Sequence, residues 1–198
     1  MRWICSYGRL YCSIFFIILF ADLSLYSIDK YVLSADRELV ELSEITGYSQ
    51  IGTTEKNNKN DGDVEKYLSS VGLKKGNPYC AAGQYWCFLE AANILKIDRK
   101  KIPIPPTGLA NEIYNYAKKN GKATKPIPIR HDLIIWRKGK SIFGHTERII
   151  KVKRAGWVRT IAFNVLDKNS GKEGVFIKQR NIYHPLSRMR VRGLVGFN

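Results

Sequence analysis

An α+β fold is predicted by the order of two periodicities along the chain. Before Gly121, apolar residues recur at helical spacing in four segments; after it, apolar and polar residues alternate in four segments. Helices first and antiparallel strands after is the layout of an α+β domain, with N-terminal helices packed on a C-terminal antiparallel β-sheet. The chain has 198 residues with 44% hydrophobic content, which suits one domain with a true core plus an extra segment.

The extra segment is residues 1–28. Arg2 and Arg9 precede a short apolar run, Leu10 to Ala21, which reads as a secretory signal peptide. An uncleaved signal anchor is the second reading and a buried core helix the third, since the run is short of the ~20 apolar residues of a membrane span. Residues 29–35 read as a linker. From there Ser34 is placed to cap a helix carrying Asp36 and Glu38 in its first turn, with Leu39, Leu42 and Ile45 inward. A polar turn cluster, Asn57 to Gly62, separates it from a short helix with Val64, Tyr67, Leu68 and Val71 inward.

Asn77-Pro78 opens a third helix running to about Leu95: Asn77 suits the cap and Pro78 the first helical position. Ile102-Pro103-Ile104-Pro105-Pro106 is an extended connector. Thr107 caps a fourth helix through Lys119, with Leu109, Ile113 and Tyr116 inward, and Asn120-Gly121 stops it. Strands are expected over 132–136, 145–153, 157–164 and 174–180, and a last apolar run over 191–197 closes the sheet.

Two of these elements bring chemistry. Cys80 falls in the first turn of the third helix, where unpaired N–H groups and the macrodipole favour a thiolate. It is a candidate nucleophile in need of a base. Cys87 lies two turns on, about 10 Å away, too far for a disulfide. Trp86, Phe88 and Leu89 flank it, so it reads as core. His145 follows Gly144 at the start of a strand and shares a face with Glu147, Ile149 and Lys151; it is a candidate base. His131, beside Asp132, competes, although strand neighbours point to opposite faces. His184, before Pro185, is weaker. No histidine pair has metal-ligand spacing, so no metal or other cofactor is expected.

The net charge is +16, from 33 Lys+Arg against 17 Asp+Glu. This favours a polyanionic partner: nucleic acid, an anionic membrane surface or an anionic cell envelope.

Together the motifs resemble the CHAP domain, the cysteine- and histidine-dependent amidohydrolase/peptidases, over about residues 36–198. Gly76 to Ala82 resembles their nucleophile segment, His131 to Trp136 their Gly-Asp-led strand with His for Gly, Gly144-His145-Thr146 their Gly-His strand, and Thr160 to Asn164 their Glu-Gly-Asn strand end. The resemblance implies a papain-like α+β fold and hydrolysis of peptidoglycan amides. It implies Cys80 as nucleophile, His145 as base and Asn164 as the polar group beside the imidazole. The chain departs from the pattern at Ala162, where many members place a carboxylate, and at Phe163, which replaces glycine.

The expected function is therefore an exported cysteine hydrolase, secreted or periplasmic, touching a membrane only through its N-terminal segment if that segment is left uncleaved. Its partners would be peptidoglycan and the anionic envelope. The alternatives are a catalytically silent wall-binding protein of the same fold and, on charge alone, a nucleic-acid-binding protein. An export signal and the lack of a nucleic-acid motif argue against the last, so no nucleic acid is expected.

Overall fold

The computed structural model describes residues 28–198, so the expected signal segment lies outside the described residues, apart from Ile28. Ile28 is buried among Ile134, Trp136 and Leu194 and belongs to the fold.

Four α-helices are described: α1 (Arg37–Ser49), α2 (Glu65–Ser70), α3 (Cys80–Leu95) and α4 (Ala110–Asn120). Seven strands form one sheet: β1 (Asp29–Leu33), β2 (Lys122–Thr124), β3 (Leu133–Arg137), β4 (Gly144–Val152), β5 (Trp157–Leu166), β6 (Glu173–Asn181) and β7 (Arg190–Phe197). Their order is β2-β1-β7-β3-β4-β5-β6. The α+β class holds, but the sheet is mixed rather than antiparallel, because β1 runs parallel to β7 with Lys30 opposite Leu194.

Residues 29–33 are thus a strand inside the sheet and not a linker. The charged pair Asp29-Lys30 hides this from a pattern reading. Lys30 is buried because its Nζ donates to Asp132 Oδ2 at 2.6 Å and to the carbonyl of Ile127 at 2.9 Å. A buried cation is tolerated only when paired and hydrogen-bonded in this way.

α1 is capped by Asp36, not Ser34: Asp36 Oδ1 accepts the Leu39 N–H at 3.0 Å. Its inward face also differs from the expected stripe. Ile45 is 60% exposed, while Ser43 and Glu44 are fully buried beside Leu39 and Val40. Two cations explain the exchange. Arg148 Nη1 donates to Ser43 Oγ at 2.7 Å, and Arg130 donates to Glu44 Oε1 from both Nε and Nη2. In α4, Leu109 occupies the cap position, and Thr107 Oγ1 accepts the Leu109 N–H two residues earlier in the chain. Tyr116 points outward, and Tyr114 and Ala117 take the inward places beside Ile113.

Three apolar cores follow. The largest joins Leu39, Phe88 and Ile113 of the helices to Leu133, Ile135 and Val195 of β3 and β7. A second joins Tyr67, Ala82 and Cys87 to Ile161 and Phe163. Phe163 fits because Gly83 faces it: a Cβ at Gly83 would lie 2.3 Å from the Phe163 ring. The bulk missing from the helix is supplied by the strand.

Candidate active site

Cys80 is the first residue of α3. Asn77 does not cap the helix; its Nδ2 donates to the Lys74 carbonyl at 2.9 Å. The turn is held instead from β5, where Asn164 Oδ1 accepts the Tyr79 N–H at 3.3 Å. The N–H groups of the first turn have no partner within their own helix, so the positive end of α3 meets the thiol.

His145 is the second residue of β4 and is 7% exposed. Gly144 lets the strand enter closely, since a Cβ there would lie 2.2 Å from the Trp136 carbonyl. His145 Nε2 lies 3.1 Å from Glu147 Oε1, which leaves Nδ1 for a second partner. The Cys80 thiol is hydrogen-bonded to the imidazole. Burial opposes the Cys80 thiolate. The His145 charge and hydrogen bond, with the backbone N–H groups of Thr146 and Ala81, outweigh it and hold the thiol below its usual value. Burial likewise opposes the imidazolium, but the Cys80 charge first, and Glu147 after it, raise His145 to about 10. Both shifts favour an imidazolium–thiolate pair.

The polar group on the imidazole is the Glu147 carboxylate, not the Asn164 amide. Glu147 is fully buried and every approach to it is a donor. Arg180 reaches it from β6 with Nε at 2.9 Å and Nη2 at 2.7 Å from Oε1, and Thr160 Oγ1 donates to Oε2 at 2.5 Å. Burial would raise this carboxyl; His145 and then Arg180 bring it down to about 2. Asn164 is turned away. At φ 59° beside a bulge in β5, its amide donates to Asn60 Oδ1 at 2.9 Å while its oxygen holds Tyr79. Glu147 was legible as a same-face neighbour of His145. What the sequence did not reveal is that it stands directly across from Ala162 in the β4–β5 ladder. The carboxylate expected at 162 is therefore supplied by the paired strand, over a residue small enough to leave room.

The remaining sequence candidates lie elsewhere. His131 Nδ1 is 2.8 Å from Glu44 Oε2, and Asp132 pairs with Lys30. The His184 ring packs edge-on against Trp157. Cys87 is buried in the second core, and burial pushes its thiol up to about 12. Cys80 is also nearly covered, at 3% exposure. It nonetheless lines a pocket of about 410 Å³ together with Pro78, Thr107, Glu112, Phe143 and Gly144. Among the described residues no group of three or more His, Cys, Asp or Glu could hold a metal ion.

Residues 72–164 match the family model of the CHAP domain. Over that stretch the chain is similar to a CHAP domain. The matched stretch runs from the loop before α3 to Asn164 and contains Cys80, His145 and Glu147. No curated protein and no solved structure matches the chain. A CHAP domain implies amidase or peptidase chemistry of the peptidoglycan-hydrolase kind. Within the matched stretch the imidazole is clamped by a carboxylate of its own strand, itself clamped by Arg180.

Proposed function

We propose that the protein is an exported cysteine amidase or endopeptidase of peptidoglycan, with a papain-like arrangement in which Cys80 is nucleophile, His145 acid and base, and Glu147 the group that fixes the imidazole. The observation that carries this reading is the Cys80–His145–Glu147 chain at the N-terminus of α3.

The Cys80 thiolate attacks the amide carbonyl carbon, forming the S–C bond and placing negative charge on the oxygen. The Cys80 backbone N–H stabilises that oxyanion. His145 gives its proton to the leaving amine as the C–N bond breaks, leaving a thioester. Water then attacks the thioester, passes a proton to His145, and releases a carboxylic acid and the thiolate. Glu147 keeps Nε2 occupied, so Nδ1 stays aimed at sulfur in both half-reactions. The basic net charge supports a place beside an anionic envelope.

Digestion of purified peptidoglycan, followed by mass analysis of released muropeptides, tests the reading. Wild-type protein should release them, and Cys80→Ala and His145→Ala should each abolish release, because the two act as one unit. Binding to walls without release on several wall chemotypes would make this a silent binding protein.

A further inference from the structure

We propose that the pocket beside Cys80 recognises a primary ammonium group of the substrate through Glu112; the inference rests on the hydrolase reading above. The argument starts from charge. Basic residues outnumber acidic ones 33 to 17 in this chain. Yet among the described residues lining the pocket there is no Lys or Arg, and beside the Cys80 thiol itself the sole acidic side chain is Glu112. The rest of the wall is apolar or neutral, including Val71, Leu73, Pro106 and Leu109. A chain this basic that keeps every Lys and Arg off the walls of this pocket, leaving His145 as the cation paired with Cys80, selects against an anionic group there. A carboxylate in a largely apolar cleft is the polar anchor that fixes a ligand's orientation.

Glu112 is also held in place. It stands in the first turn of α4, where negative charge is favoured. Thr107 Oγ1 donates to its Oε2, and Thr107 itself is buried on the pocket wall. This hydrogen bond occupies Oε2 and leaves Oε1 as the oxygen for an incoming N–H donor. The ligand class that follows is a peptide with a free amine near the scissile amide, either a diamino-acid side chain or an unblocked α-amine.

The test uses the full chain and synthetic muropeptides in matched forms: both amines free, only the side-chain amine acetylated, and only the α-amine acetylated. Wild-type protein should cleave the free form with kcat/KM about tenfold above one acetylated form, the worth of one charge-assisted hydrogen bond. Which acetylated form suffers identifies the amine. The preference should shrink at high salt and fall to about twofold or less in Glu112→Gln, whose amide oxygen still accepts from Thr107. Equal cleavage of all forms, or a preference that survives Glu112→Gln, overturns the subsite and leaves the hydrolase reading standing. If no form is cleaved, the hydrolase reading falls, and calorimetric titration of the same peptides decides the subsite. Tighter binding of the free form, lost in Glu112→Gln, supports it; equal or absent binding overturns it.

Discussion

At the scale of single residues, Glu147 and Asn164 make distinguishable predictions. Glu147 bears on the imidazolium, so Glu147→Gln removes a charge that helps raise His145 to about 10. The alkaline limb of the pH–rate profile should move to lower pH, with kcat falling at least tenfold. Asn164 instead holds the Tyr79 N–H just before Cys80. Asn164→Gly keeps the positive φ without a steric penalty and deletes the amide. It should lower turnover while leaving the alkaline limb where it is. The same profile measured on both variants separates the roles, and a shifted limb in Asn164→Gly would return Asn164 to the imidazole. The two thiols also differ. Cys80 is held low by His145 and opens on a pocket, whereas Cys87 is pushed up to about 12. Alkylation near pH 6 with peptide mapping should label Cys80 well before Cys87, and equal labelling would contradict the thiolate pair.

At the scale of elements, β1 has the largest consequence. It lies between β2 and β7, and it brings Lys30 to the buried Asp132. Burial outweighs Lys30 and raises Asp132 to about 6. Its native value thus exceeds the unfolded 3.8, so ionised Asp132 opposes folding above about 6 and ceases to do so below 3.8. Lys30→Met strips the carboxylate of its partner and should cost about 3–5 kcal/mol at neutral pH. Denaturant titration should show that loss shrinking by pH 5, and a loss independent of pH would contradict the pairing. A chain beginning at Ser34 lacks the whole strand and should be less stable than one beginning at Ile28. Local signals made most of the fold legible: β3 to β6 alternate, and the runs around Cys80 and Ile113 have helical spacing. What stayed hidden is long-range. β1 pairs with the far end of the chain, and the Ser43–Glu44 face of α1 is polar because Arg148 and Arg130 arrive from the sheet. Glu147 belongs to the same class, since its place over Ala162 exists only once β4 and β5 are in register.

At the scale of the whole molecule, the Cys80–His145 pair leaves a mark on stability. His145, native above its unfolded 6.5, contributes fully below 6.5 and loses this as pH rises through about 10. Cys80, native below its unfolded 9.0, contributes fully above 9.0 and loses this as pH falls. Their sum is level between 6.5 and 9.0, because native pair and unfolded groups then hold one proton between them. Thermal unfolding should therefore show Tm falling above pH 9, and a shallower fall in Cys80→Ala. An equally steep fall in both would place the pH dependence elsewhere. The charge of +16 adds a second property of the whole chain. Adsorption to intact walls should weaken steeply as salt rises, because screening shortens the reach of a basic surface.

The most direct measurement of the central claim is the acyl-enzyme itself. Acid quench within the first turnovers on a muropeptide, followed by peptide mapping, should find the acyl group as a thioester on the peptide containing Cys80. Glu147→Gln should form it more slowly and Cys80→Ala not at all. Release of product from Cys80→Ala at the wild-type rate, or an adduct mapped to another residue, would contradict it.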